Sequence, residues 1–322
     1  MSPATTEKLP TWWPVAVRSC VDELESYRLI GASACADRIT DAVEQVAVAA
    51  AGQGIDVAAE MSRAGDRFCA LKPDTALYVN VIHLLTASSA TADDVVASAA
   101  RLRAYRAQAR AKILDATVAR LTAAKTILVH DYSSAAAAAL VALSGAGCRR
   151  RVVVSAGEPL GQGERVARLV AEAGHQLVYA PDASLGRLVP DVDVFLTGVE
   201  TFYPDGSLAN TVGTLAIALL CREFGTEVLA PTECLKLDAR VPAARTDVLT
   251  ARLLHPWPGD WIAELGATVE DHVLDAVPAR LVNSYVTETG VLTSGEVGAR
   301  AAKTIAALKP TGRAPDPQRG RR

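Results

Sequence analysis

Two carboxylates stand where an acid or base is most useful. Asp131 directly follows the apolar run Thr126-Ile127-Leu128-Val129-His130, and Glu200 comes three residues after the run 192–197. Placed across adjacent strand ends, the two would repel, so that one pKa rises and a protonated acid stands beside an ionised base. Such a pair suits proton transfer in the enediol chemistry of a carbonyl sugar, with His130 or Ser133 positioning an oxygen. The same pair serves equally well as a carboxylate-lined binding site.

Each polar candidate has a structural alternative. Asp131 and Ser133 are also ordinary N-cap types for a helix expected over 135–143, and Asn210 can cap one over 215–221. His130 can be a hydrogen-bonded core histidine, and Glu158 can simply face solvent beside Pro159. Lys72 can be a surface charge near a turn, and Lys236 can be solvated or reach a ligand. The run Gly157-Glu158-Pro159-Leu160-Gly161-Gln162-Gly163 has neither the Gly-x-Gly-x-x-Gly spacing nor a P-loop Gly-Lys-Thr, which excludes both nucleotide readings. The five histidines form no short metal-ligand motif and the six cysteines no Cys-x-x-Cys pair, so neither a metal nor a cofactor is expected.

The elements that must position these residues change character along the chain. From about Pro14 to Ala124, apolar residues recur at three- and four-residue steps, as in Ile39, Ala42, Val43, Val46 and Ala47, which predicts helices. Breaks fall at Gly52-Gln53-Gly54 and Lys72-Pro73-Asp74. The stretch 91–124 reads as one or two helices with many arginines on a solvated face. Beyond it, β-branched runs at 126–130, 151–155, 176–180, 192–197 and 227–230 alternate with amphipathic helices, the pattern of a parallel sheet covered on both faces. The expected fold is therefore α/β: a helical domain over 1–124, then a Rossmann-like parallel-sheet domain over 125–308. The Pro-, Gly- and Arg-rich tail 309–322 is expected to be disordered. Sheets of this kind place ligands beyond the carboxyl ends of their strands, where the candidates lie.

Composition limits the partners. The chain has 322 residues, is 50% hydrophobic and carries a formal net charge of -3, which gives no general attraction for nucleic acid. No apolar run approaches the roughly 20 residues of a membrane helix. The opening segment lacks the apolar core and cleavage site of a secretory signal, so a cytoplasmic location is expected.

The segment Gly198-Val199-Glu200-Thr201-Phe202-Tyr203-Pro204-Asp205-Gly206-Ser207-Leu208-Ala209-Asn210-Thr211-Val212-Gly213-Thr214 resembles the signature of a superfamily. Its members are methylthioribose-1-phosphate isomerases, ribose-1,5-bisphosphate isomerases and the alpha, beta and delta subunits of initiation factor 2B. Further pieces follow in the same order: Ile127 to Ser133, Val154 to Pro159, Pro231 to Lys236 and Val286 to Gly290. The resemblance covers most of 126–295 and is weaker at Leu29-Ile30-Gly31-Ala32 and Lys72-Pro73-Asp74-Thr75-Ala76.

It implies that Asp131 stands at the place of the isomerases' catalytic cysteine and Glu200 at that of their catalytic aspartate. Ile30, Glu158 and Lys72 fall where those enzymes hold substrate phosphate with arginines, and Thr211 replaces a lysine. The resemblance further implies a homodimer and a diverged isomerase acting on a sugar or sugar phosphate by carboxylate acid-base chemistry. The alternative is a non-catalytic protein of ligand binding or assembly similar to the initiation-factor subunits, toward which Glu200 and Lys236 lean.

Overall fold

The computed structural model describes residues 9–26, 31–87, 90–245, 261–270 and 272–309. Five helices come first: α1 (Val15–Glu25), α2 (Ala32–Gly52), α3 (Val57–Leu71), α4 (Ala76–Thr86) and α5 (Ala92–Leu121). The breaks between α2 and α3 and between α3 and α4 fall at the glycines and the proline that predict them. The stretch from Thr91 is one 30-residue helix, opened by a capping box in which the Asp94 amide donates to Thr91 Oγ1 at 3.2 Å and the Thr91 amide donates to Asp94 at 3.0 Å. Val95, Ala99, Leu102, Arg106, Ala109, Ile113, Thr117 and Leu121 form its buried stripe at three- and four-residue steps. Arg106 thus departs from the expected solvated arginine face: it is only 1% exposed.

The alternating part runs β1 (Thr126–His130), α6 (Ser134–Gly145), β2 (Arg151–Ser155), α7 (Gly163–Glu172), β3 (Gln176–Ala180), β4 (Val194–Thr197), β5 (Thr201–Phe202), β6 (Leu208–Thr211), α8 (Thr214–Phe224) and β7 (Glu227–Pro231). The short α9 (Trp261–Glu264), then β8 (Leu274–Val277), β9 (Ser284–Thr287), β10 (Gly290–Leu292) and α10 (Ser294–Leu308) complete it. The main sheet has the order β10-β9-β7-β4-β1-β2-β3 and is parallel except for β10. A second, antiparallel sheet, β5-β6-β8, stands at its carboxyl edge.

Successive strand residues point to opposite faces. Ile127 and Val129 pack with Leu140, Val166 and Leu121 of α6, α7 and α5, whereas Leu128 and Phe195 pack with Ile217, Cys221 and Val297 of α8 and α10. A separate core joins α1 to α4 and the first turns of α5. No described helix is long and apolar enough to cross a membrane. The tail from 310 onward lies outside the described residues, as does Ile30.

One feature of this connectivity decides where a ligand can sit. From β1 the chain builds outward through β2 and β3, then returns to lay β4 on the other flank of β1, with His130 opposite Thr197. The loops leaving β1 and β4 therefore flank this switch point, the place where sheets of this kind take their ligands. Asp131 leads one loop, and Gly198-Val199-Glu200 forms the other.

Candidate functional site

Asp131 is the one non-glycine among the described residues with positive φ, at 61°. Aspartate tolerates this left-handed conformation better than most residues, and it carries the carboxylate across toward β6, where it accepts a short hydrogen bond from Thr211 Oγ1. Ser133, not Asp131, is the N-cap of α6, its Oγ accepting from the Ala136 amide at 3.4 Å. His130 is 1% exposed, and both ring nitrogens are engaged: Nδ1 with Ser155 Oγ at 2.6 Å and Nε2 with the Val212 carbonyl at 2.8 Å. Because a carbonyl only accepts, Nε2 carries the proton and Ser155 donates to Nδ1. The histidine thereby fastens the end of β1 to the turn before α8.

That turn is held from a third direction. Asp275 of β8 accepts from the amides of Gly213 and Leu215, both at 2.9 Å, and so caps α8 from 60 residues downstream. Asn210 does not cap this helix; it is a buried residue of β6 whose Nδ2 donates to Thr214 Oγ1 at 3.0 Å. The close approach of Gly198 to Asn210 explains why that position lacks a side chain, since a Cβ there would lie 3.0 Å from the Asn210 Oδ1.

Glu200 meets the helical region. Its Oε1 accepts from Thr75 Oγ1 at 2.8 Å, while Thr201 Oγ1 accepts from the Ala76 amide at 3.0 Å and donates to the Asp74 carbonyl at 2.9 Å. Lys236 donates from Nζ to the Val199 carbonyl, beside Glu200. Burial pushes the Lys236 ammonium below the usual lysine range, against the attraction of Glu200 and Glu233. Cys35 lies beneath the same corner: burial raises its thiol, a hydrogen bond from Tyr78 and the charge of Lys72 oppose the rise, and Glu200 adds to it. Lys72, Glu200 and Lys236 therefore share one neighbourhood, while Asp131 is held by Thr211 of β6.

Glu158 stands apart. It is exposed on the loop after β2, where the Gly157 and Glu158 amides donate to Asp182 at 3.0 and 2.8 Å.

Beside Lys236 lies an ion pair that the sequence alone did not reveal. Arg106 donates to both carboxylate oxygens of Glu233, at 2.9 and 3.2 Å, and to Asp37, with Glu233 4% exposed. The pair locks α5 and α2 to the loop after β7. The regular stripe of α5, with an arginine at one of its apolar positions, was the available signal. No cluster of three or more His, Cys, Asp or Glu side chains that could hold a metal occurs among the described residues.

A parallel sheet with a left-handed aspartate at its switch point, joined to the helices through Thr75 and Arg106, defines an α/β protein with its candidate site at the carboxyl edge. The chain belongs to the Initiation factor 2 subunit family, whose model matches residues 30–294. It is 28% identical over 283 residues to the ribose 1,5-bisphosphate isomerase of Haloferax volcanii, covering 85% of this chain and 88% of that protein. It is 35% identical over 142 residues to the methylthioribose-1-phosphate isomerase of Alkalilimnicola ehrlichii, covering 42% and 38%. Among solved structures, the translation initiation factor eIF-2B of Pyrococcus horikoshii OT3 superposes with a TM-score of 0.74 at 18% identity, over 87% of this chain and 98% of that one. The 5-methylthioribose 1-phosphate isomerase of the same organism gives 0.65 at 16% identity, over 91% and 88%. Both structures share the fold described above.

Proposed function

We propose that the chain is a diverged aldose-ketose isomerase acting on a sugar or sugar phosphate, with Asp131 and Glu200 as its acid-base pair. The observation that supports this most is the placement of Asp131 in a left-handed conformation at the switch-point crevice, a strained position for a residue that does not cap the helix it precedes. The near full-length match to a ribose 1,5-bisphosphate isomerase supports the same class.

In this reading Glu200, which faces the Lys236 ammonium, is the base. It takes the proton from carbon 2 of the open-chain aldose and returns it at carbon 1. Asp131, held through one carboxylate oxygen by Thr211, is the acid in this cycle: a proton passes from it to the carbonyl oxygen and one returns from the carbon 2 hydroxyl, so the cycle closes without net charge. Ser133, Asn210 and Thr211 line the crevice around the pair, with Lys72 and Lys236 on the helical side. His130 acts by holding the turn that carries Thr211. Two such chains form a homodimer with no other partner than the small-molecule substrate.

A second reading has one specific observation behind it: Glu200, Lys236 and His130 all have protein hydrogen-bond partners, as in a site built to bind or assemble rather than to turn over. Proton NMR in heavy water separates the two, using aldose phosphates and free pentoses. The isomerase reading expects deuterium incorporation or ketose formation that falls by about 100-fold or more in both Asp131→Asn and Glu200→Gln. Silence from the wild type across the panel, with ligand binding retained, assigns the binding protein instead.

A further inference from the structure

Tyr132 directly follows Asp131 and is half-buried. Its ring carries the guanidinium of Arg165, with Cζ 3.6 Å from the ring centroid. Arg165 belongs to the first turn of α7, so the stack joins the loop leaving β2 to the loop that presents Asp131. Gly31 closes on the same tyrosine from the helical side: a Cβ there would lie 3.9 Å from the ring's Cε1. Arg165 is exposed, and no carboxylate forms an ion pair with it among the described residues; Glu164, its neighbour on the same turn, pairs instead with Arg168 at 2.5 Å.

Stacking uses the flat face of a guanidinium and leaves its in-plane N–H donors open. Those donors form the fork that binds a phosphate through two parallel hydrogen bonds, a geometry that a lysine lacks. Lys72 and Lys236 lie on the helical side with Glu200, so a phosphorylated substrate beside the Asp131 carboxylate needs a cation on that side too, and Arg165, stacked on Tyr132, is placed to supply it. We infer that Arg165, oriented by Tyr132, is the specificity-determining residue that selects a phosphate-bearing sugar over a free one. This rests on the crevice assigned under the proposed function, but not on turnover there.

The test uses the full chain and three probes: inorganic phosphate followed by phosphorus NMR line width, and ribose 5-phosphate and ribose followed by calorimetric titration. Wild type is expected to bind phosphate and to prefer ribose 5-phosphate to ribose. Arg165→Ala should weaken both phosphorylated probes at least tenfold and leave ribose unchanged, with Arg165→Lys in between. Tyr132→Leu, which removes the stack but keeps the charge, should resemble Arg165→Lys, whereas Tyr132→Phe should resemble wild type.

Wild-type affinity for phosphate in Arg165→Ala, or no preference for the phosphorylated sugar in wild type, overturns the inference. Carboxylate-dependent deuterium exchange with an Arg165-independent phosphate preference sinks this inference alone. Arg165-dependent phosphate binding without any exchange supports it while sinking the isomerase reading.

Discussion

His130 and Gly213 depend on each other: a Cβ on Gly213 would lie 2.8 Å from both Cε1 and Nε2 of the imidazole, and the glycine's φ of 101° is one that side-chain-bearing residues rarely adopt. The ring cannot retreat, because Ser155 and the Val212 carbonyl hold it from both sides. Backbone strain and overpacking each cost about 1–3 kcal/mol. Gly213→Ala should therefore destabilise the fold by about 2–4 kcal/mol, read as a lower urea midpoint with an unchanged slope.

The Arg106–Glu233 pair gives a second expectation. Breaking a buried pair from one side leaves an uncompensated charge, at a cost of about 3–5 kcal/mol. Glu233→Leu should cost this much, and Arg106→Met in the same background should restore a large part of it, less what Asp37 loses as a partner. A double variant that costs the sum of Glu233→Leu and Arg106→Met measured singly would show that the two residues are not coupled.

Asp131 allows the carboxylate to be separated from the backbone it sits on. Asparagine tolerates the left-handed conformation, so Asp131→Asn should keep near wild-type stability while losing exchange activity. Asp131→Val should lose the same activity and in addition about 1–2 kcal/mol of stability. Circular-dichroism melts beside the exchange assay distinguish the two effects.

Buried thiols set a limit at alkaline pH. Burial pushes Cys20 up to about 11, Cys221 up to about 12 and Cys234, with help from Glu288, up to about 12. In the unfolded chain a thiol ionises near about 8.5. Below that pH both states are protonated and stability is unaffected. Above it the unfolded chain releases its protons first, so stability should fall from about pH 8.5 toward 11–12. Urea midpoints between pH 7 and 10.5 measure this. A thiol reagent at pH 8 should label Cys69 and Cys148, the two that are not fully buried, well before the other four.

Much of this fold is legible in the sequence because parallel strands buried on both faces appear as continuous β-branched runs. Thr126–His130, Arg151–Ser155 and Gln176–Ala180 each coincide with such a run. The antiparallel sheet is not legible, since β5 has two residues and β6 is embedded in a turn-rich stretch with no alternating pattern. For the same reason Asn210 resembles a helix cap although it lies in a strand. The contacts of Asp275 with the start of α8 and of Thr75 with Glu200 join residues 60 and 125 positions apart, beyond the reach of any local pattern. Arg106 is hidden differently: it is one of many arginines on α5, and only its place in the apolar stripe distinguishes it.

Helix α5 has a mechanical consequence. Its first turns pack Val95, Ala99 and Leu102 into the helical core, and its last residue, Leu121, packs into one face of the main sheet. At 1.5 Å per residue this rod is about 45 Å long, and it has no proline or glycine along it. With the same rod clamped in both cores, the two regions cannot swing apart about a flexible joint without bending a continuous hydrogen-bonded helix. Local opening therefore falls to the short loops between elements, and a load applied at one core is felt in the other.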